Sequence, residues 1–82
     1  MDEQIRPLSA LSPGESGTVV YVDLSPSLSR RLLDIGLIEG TRVSCLLKSP
    51  AGDPKAYLIR GAVIALRRED TSFVFVKEEP WD

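Results

Sequence analysis

Apolar and polar residues alternate along five short stretches of the chain, and glycine, proline or charged residues separate these stretches. Alternation with a period of two is typical of strands that bury one face. The pattern predicts five strands, at residues 18–23, 41–48, 55–60, 63–66 and 72–76. In the first, Val20 and Val22 are expected to share a face; in the second, Val43, Cys45 and Leu47 are expected to do so.

One stretch, residues 25–36, fits a helix better than a strand. Ser25 can cap its first turn, Pro26 suits the first helical position, and Gly36 can close it with a positive φ. Three apolar residues at helical spacing would form one stripe: Leu28, Leu32 and Ile35. With Gly36 just after the helix, Leu37 lies where a Schellman motif packs an apolar side chain against Leu32. The sequence therefore predicts a pinned helix end.

Turn residues mark the connections that follow. Gly40 suits a turn with positive φ, and Gly61 allows a tight reversal before the fourth strand. Residues 49–54 form the loop of a predicted hairpin between the second and third strands. Within that loop, Gly52, Asp53 and Pro54 are turn residues, and Asp53 is expected to fix its own turn through an Asx hydrogen bond.

Five short strands in a flat sheet would leave two long exposed edges, whereas a curled sheet does not. The predicted fold is therefore mostly β: a small five-stranded SH3-like barrel with one short inserted α-helix. An OB-fold is also a five-stranded barrel with a helix, but its helix usually lies between the third and fourth strands. Here the helix lies between the first and second. We expect one domain over residues 1–82, with an ordered core of about 5–77.

The composition fits one small globular core, with 82 residues of which 43% are hydrophobic and 27% charged. The longest apolar run, residues 62–66, is far too short to cross a bilayer, so no direct membrane insertion is expected. A lone cysteine, Cys45, and an N-terminus without the pattern of a secretory signal favour a cytoplasmic protein. Because so small a core is modestly stable, a partner or a homodimer is expected to support it.

The net charge of −2 conceals an acidic bias in the tails. Residues 4–77 hold ten basic and seven acidic side chains, a net charge of +3. That excess is too small to indicate nucleic-acid binding, for which a pI above about 9 is typical. No nucleic acid is therefore expected as a partner.

The chain offers little catalytic or metal-binding chemistry. It contains no histidine and one cysteine, and its carboxylates show no calcium-loop spacing. The usual general base is missing, Cys45 has no evident activating partner, and no phosphate-binding loop occurs. The sequence therefore predicts neither an enzyme nor a resident metal or cofactor.

Two groups of residues could act on a partner's surface. Arg30, Arg31, Arg67 and Arg68 form two basic pairs that could dock an acidic protein. Phe73 and Phe75 share one strand face; they could be a base-stacking platform, although barrel core is the commoner role for such a pair. These groups leave open a nucleic-acid-binding small β-barrel as an alternative.

Residues 31–43, R-L-L-D-I-G-L-I-E-G-T-R-V, resemble the R-L-x-x-[LM]-G-[LIM]-x-x-G-x-x-[VI] signature of the ferrous iron transport protein A (FeoA) family. One signature position differs, because Ile35 stands where the pattern has Leu or Met. Three further segments resemble the family in the same order: residues 8–17, 52–54 and 64–67. At residues 69–71, Glu-Asp-Thr replaces the Glu-Ala of many relatives, a departure confined to a predicted turn.

The resemblance implies an SH3-like barrel with an inserted helix. It also implies a cytosolic accessory of FeoB, the membrane permease with a GTP-hydrolysing domain that imports ferrous iron in bacteria. Because this chain lacks the residues of a strong iron site, we expect it to act by binding the permease on its cytosolic side and not by carrying iron. A metal-sensing regulatory domain is a further alternative.

The predicted contact surface lies on the helix, the link that follows it and a nearby arginine. Its residues are Arg30, Arg31, Leu37, Ile38 and Arg67. A second set is predicted to shape the fold: Leu32, Gly36, Gly40, Gly52, Asp53 and Pro54. Of Leu37 and Ile38, both apolar and both in a tight link, one is expected to face a partner.

Overall fold

The computed structural model describes residues 5–23 and 29–79, which form one antiparallel sheet and two short helices. The strands are β1 (Ile5–Pro7), β2 (Ser16–Val22), β3 (Arg42–Lys48), β4 (Lys55–Ile59), β5 (Ala62–Leu66) and β6 (Val74–Glu79). The helices are α1 (Ser29–Asp34) and α2 (Arg68–Thr71), and a 3-10 turn spans Leu8–Ala10. The strand order β1-β6-β2-β3-β4-β5 places the last strand between the first two.

The five predicted strands are present, each within a few residues of its expected bounds, and so is the helix between the first two of them. The predicted capping residues Ser25 and Pro26, and Leu28 of the apolar stripe, lie outside the described residues. Besides the 3-10 turn at Leu8–Ala10, two elements were not predicted. Strand β1 has three residues, too few to show alternation, and α2 occupies the charged segment expected to be a simple link.

Two β-bulges change which side chains face inward. The register of β2 against β6 shifts at Val20, and that of β3 against β4 shifts at Leu46. A bulge inserts an extra residue and bends its strand, which favours a curled sheet. The predicted inward faces are therefore partly wrong: Val19 and not Val20 lies in the core, and Leu47 is 60% exposed.

The core fills the inside of the curled sheet. Its buried apolar residues are Leu8, Leu11, Val19, Leu32, Leu37, Val43, Cys45, Tyr57, Ile59, Leu66, Val74 and Val76. Val74 and Val76 occupy the inner face of β6, so the expectation that Phe73 and Phe75 form barrel core is wrong. Phe75 lies on the other face and stacks on the exposed Tyr21, with ring centroids 5.6 Å apart.

Two side chains tie the β3–β4 hairpin to neighbouring segments. The Lys55 Nζ donates to the carbonyl oxygens of Ser9 and Leu11, at 2.8 and 2.7 Å, and so joins β4 to the 3-10 turn. The Asp53 Oδ1 accepts a 2.8 Å hydrogen bond from the Arg68 N–H at the start of α2. Asp53 therefore caps a distant helix, and the predicted Asx bond within its own turn is not the bond that the structure shows.

Candidate interaction site

Helix α1 ends in a complete Schellman motif. Gly36 has a φ of 94°. Its N–H donates to the Leu33 carbonyl at 3.0 Å, and the Leu37 N–H donates to the Leu32 carbonyl at 3.0 Å. Leu32 and Leu37 are both fully buried, which is the apolar arrangement that accompanies this motif. The predicted helix end is confirmed in its glycine conformation, its hydrogen bonds and its buried pair.

A buried threonine organises the link from α1 to β3. The Thr41 hydroxyl donates to the Gly36 carbonyl at 2.9 Å and accepts a 3.3 Å hydrogen bond from the Ile38 N–H. The Thr41 N–H donates to the Ile38 carbonyl at 3.0 Å, so residues 38–41 form a turn in which Gly40 has the predicted positive φ of 92°. Sequence reasoning missed Thr41, because a threonine beside a turn glycine carries no strong signal of its own.

The link is also fixed to the sheet. The Gly40 N–H donates to the Val19 carbonyl at 2.7 Å, and the Val19 N–H donates to the Thr41 carbonyl at 2.8 Å. These bonds engage β2 beside its bulge. The backbone between helix and strand is therefore held at both ends and in its middle, and it presents its exposed side chains in a defined direction.

Of the two apolar residues in the link, Leu37 is 0% exposed and Ile38 is 46% exposed. The prediction that Leu37 contacts a partner is wrong, because its side chain is buried in the core as the apolar residue of the Schellman motif. Ile38 is the residue available to a partner. The expectation that one of the two faces outward is met by Ile38.

Ile38 lies on one wall of an open groove of about 680 Å³ on the outer face of the sheet. The groove is lined by the turn after α1, the first residues of β2 and β3, and the β4–β5 reversal. The lining residues are Ser16, Ile38, Glu39, Gly40, Thr41, Arg42, Ser44, Leu58, Arg60 and Gly61. Ile38 and Leu58 provide its exposed aliphatic surface, and Arg42 and Arg60 provide its positive charge.

The two groove arginines come from neighbouring strand ends. Val43 pairs with Ile59, and both side chains point into the core. Because β3 and β4 are antiparallel, the preceding Arg42 and the following Arg60 lie opposite each other at the next register position, and both are exposed. Sequence reasoning missed both residues; the register that brings them together depends on the β3 bulge.

The other predicted contact residues do not line this groove. Arg31 is exposed on α1, and Arg67 is exposed just before α2. Arg30 belongs to α1 by its backbone, but its side chain lies outside the described part of the chain. The structure thus brings Ile38 together with Arg42 and Arg60, while the predicted arginines occupy other positions.

The part of the chain that the structure describes holds no group of three or more His, Cys, Asp or Glu side chains that could bind a metal ion. Cys45 is buried in the core, as the alternation predicted, and burial raises the pKa of its thiol. A buried thiol with a raised pKa is a poor nucleophile and a poor metal ligand. The described helices also include none that is long and apolar enough to cross a membrane.

The sequence model of the FeoA domain matches residues 6–78. The chain belongs to the FeoA family. A FeoA protein from Chlorobium tepidum, solved in solution, is 32% identical; the match covers 93% of this chain and 72% of that one, with a TM-score of 0.80. The zinc complex of Stenotrophomonas maltophilia FeoA, described as an SH3 domain protein, is 28% identical over 87% of this chain and 88% of its own, with a TM-score of 0.75. The SH3-like fold prediction is confirmed.

A curated relative joins two proteins in one chain. The Fe(2+) transport protein A/Fe(2+) transporter FeoB fusion protein of Porphyromonas gingivalis is 30% identical over 70 residues, which cover 85% of this FeoA-family chain. The match spans only 8% of the fusion protein's length. The remaining length of that relative therefore has no counterpart in this chain.

Proposed function

We propose that this FeoA-family protein is a cytoplasmic accessory of bacterial ferrous iron uptake that binds the cytosolic side of a FeoB-type permease. The observation that carries the proposal is the P. gingivalis fusion, in which a segment similar to this chain is covalently joined to a FeoB transporter. Covalent linkage raises the effective concentration of one module at another to the millimolar range for short linkers. A separate chain of the same family would need a binding surface to achieve the same proximity.

The candidate site is better suited to binding a partner than to catalysis. Its exposed groups are an isoleucine and a leucine beside two arginines, the residue types that contribute apolar contact and charge-assisted hydrogen bonds at interfaces. Arg31 and Arg67, with Arg30, extend the cationic surface beyond the groove in this proposal. Docking of this surface would modulate the permease's GTP cycle or its assembly, without a catalytic step on this chain.

The test is a calorimetric titration of the full chain against the soluble GTP-hydrolysing domain of the FeoB-type permease from the same organism. Ile38→Glu places a charge in the groove and should weaken binding by roughly tenfold or more. Leu47→Glu is the matched control, because Leu47 is an exposed leucine outside the groove and should tolerate the change. Arg31→Glu tests the helix part of the surface.

The proposal predicts saturable binding by the unaltered chain and a change in the GTP hydrolysis rate or in the assembly of the domain. Absence of binding by the unaltered chain, both to the soluble domain and to the detergent-solubilised whole permease, would overturn it. Equal weakening by Ile38→Glu and Leu47→Glu would show that the chosen surface is wrong.

A further inference from the structure

Arg42 and Arg60 form a like-charge pair in the groove. They lie opposite each other at the register position next to the Val43–Ile59 pair, and both line the groove. Like charges placed opposite each other in a sheet are destabilising. Within residues 5–23 and 29–79, no ion pair joins either arginine to a carboxylate. The pair therefore keeps a net positive charge beside the single groove carboxylate, Glu39, and a carboxylate from another molecule would relieve the repulsion.

Arg60 adds a second unfavourable feature. The two-residue reversal between β4 and β5 consists of Arg60 and Gly61, and both have positive φ, at 51° and 84°. Such turns favour Asn-Gly or Asp-Gly, and an arginine in the left-handed region costs about 1–2 kcal/mol. Backbone strain of this kind clusters at functional sites. An arginine at a position where the backbone favours asparagine or aspartate indicates that the arginine side chain has a role of its own.

The Arg60 side chain is also held in place. A Cβ built on Gly36 would lie 2.7 Å from the Arg60 Cδ, so the aliphatic stem of Arg60 runs against the backbone of Gly36. A stem fixed in this way reduces the entropy that the guanidinium loses when it binds. Arg60 therefore presents a pre-positioned fork of donors, the geometry that suits a carboxylate.

The apolar part of the groove lies beside these charges. Ile38 and Leu58 are both partly exposed, and no aromatic side chain lines the groove. The absence of aromatics among the described lining residues does not fit polyproline recognition, which uses aromatic-lined grooves. The Ser16 and Ser44 hydroxyls are 2.8 Å apart and hydrogen-bond each other, so they form a satisfied polar boundary.

We infer that this groove binds an extended acidic segment of the FeoB-type partner, with a carboxylate on Arg42 and Arg60 and a neighbouring aliphatic side chain on Ile38 and Leu58. The inference rests on the proposed function and names the partner's chemistry. The charge of the groove, from two arginines and one glutamate, is +1 and complements such a segment. A second copy docking groove to groove would instead bring four arginines together, which like-charge repulsion opposes.

The test compares three neutralising changes in the full chain, titrated against the soluble GTP-hydrolysing domain of the permease. Arg42→Gln and Arg60→Asn should each weaken binding by roughly tenfold, and binding of the unaltered chain should fall more steeply with salt than binding of either variant. Lys48→Gln is the matched control, because Lys48 is an exposed cationic residue of β3 that lies outside both the groove and the proposed contact surface. Asparagine is chosen at position 60 because it tolerates a positive φ and keeps the turn.

A thermal melt of each variant separates recognition from folding. Arg60→Asn should keep or raise the melting temperature while it weakens binding, an opposite response that a purely structural arginine would not give. Tight binding by the unaltered chain with less than twofold change in both groove variants would overturn the inference and leave the proposed function standing. Failure of the unaltered chain to bind would overturn both.

Two other occupants give distinct results. If the chain's own C-terminal residues fill the groove, Trp81→Ala should tighten binding of the permease domain, and this result would overturn the assignment to a partner segment. If a second copy fills it, sedimentation should show a dimer that Arg42→Gln alters, with the same consequence. Unchanged binding by Trp81→Ala and a monomeric chain agree with the partner segment.

Discussion

The stem of Arg60 packs against Gly36, so closely that a Cβ on the glycine would stand 2.7 Å from the Arg60 Cδ. This contact joins the end of α1 to the β4–β5 turn, two segments far apart in the chain. Gly36 therefore has two reasons to lack a side chain: a φ of 94° and the passage of an arginine over its backbone. The contact with Arg60 links Gly36, a residue of the family signature, to the groove.

Gly36→Ala should destabilise the protein by about 2–3 kcal/mol. About 1–2 kcal/mol follows from a side chain in the left-handed region, and displacement of Arg60 from its favoured rotamer adds about 1 kcal/mol. The change in the free energy of unfolding can be measured by urea denaturation. Gly40→Ala is the control, because Gly40 has a similar φ of 92° but no heavy atom within 4 Å of the added Cβ.

A double-mutant cycle isolates the contact itself. In an Arg60→Asn background the added Cβ meets a shorter side chain, so Gly36→Ala should cost about as much as Gly40→Ala, roughly 1–2 kcal/mol. If Gly36→Ala destabilises the protein as much in the Arg60→Asn background as in the unaltered chain, the backbone conformation and not the contact with Arg60 explains why glycine is needed at position 36.

Local signals in the sequence predicted the helix end well, because a Schellman motif depends on residues within six positions of one another. The positive φ of Gly36 and the buried pair of Leu32 and Leu37 are confirmed for that reason, whereas the second prediction for Leu37, a contact with a partner, is wrong. The inward faces of β2 and β3 were partly wrong because a bulge depends on the partner strand, which a single stretch of alternation does not specify. Leu47 is exposed only because Leu46 is inserted ahead of it in the β3–β4 register.

Asp53→Ala should destabilise the protein by about 1 kcal/mol through the loss of the helix cap on α2. The Asp53 Oδ1 accepts from the Arg68 N–H at 2.8 Å, and a negative charge at a helix N-terminus adds a small favourable term. Asp53→Asn keeps an acceptor and should cost less than half as much, as read from urea midpoints. Equal losses for the two variants would indicate that the side-chain oxygen is not the stabilising group.

Glu15 should give the protein part of its stability at neutral pH. The Ser12 N–H bonded to Glu15 Oε1 at 2.7 Å, with a smaller effect of the Arg6 guanidinium at 3.3 Å, holds the pKa of Glu15 below its ordinary value of 4.5, against a raising effect of burial. Because the folded pKa is lowered, this stabilisation is present above about pH 4.5 and is lost as the pH falls through the folded pKa.

Urea midpoints measured between neutral pH and about pH 3 test this linkage. Glu15→Gln should be less stable than the unaltered chain at neutral pH, and the difference should shrink in acid. Arg6→Gln should flatten the profile less, because the Ser12 hydrogen bond is the larger cause of the lowered pKa. Parallel profiles for Glu15→Gln and the unaltered chain would contradict the assignment.

The contact surface was less predictable than the fold. Ile38 could be named because it lies in the signature segment, whereas Arg42 and Arg60 share a groove only through the pairing of β3 with β4. No spacing in the sequence connects residues eighteen positions apart across a bulged hairpin. Arg31 and Arg67 belong to adjacent basic pairs, a pattern that shows the charge along the chain but not the position of each side chain in space.

Leu37 and Ile38 are adjacent, and their substitution should separate folding from recognition. Leu37→Ala should destabilise the protein by about 3 kcal/mol, the usual cost of a cavity at a fully buried leucine. Ile38→Ala should cost about 1 kcal/mol or less, because the side chain is 46% exposed, yet it should weaken binding of the permease domain. Urea denaturation and calorimetric titration on the same samples measure the two effects.

The comparison is informative because both residues are aliphatic and lie in the same link. At a temperature where Leu37→Ala remains folded, it should bind the permease domain nearly as the unaltered chain does, since its side chain reaches no surface. A binding loss for Leu37→Ala equal to that of Ile38→Ala would mean that the link itself must stay rigid for docking. Thr41→Val would then be expected to show the same loss, because its hydroxyl holds both Gly36 and Ile38.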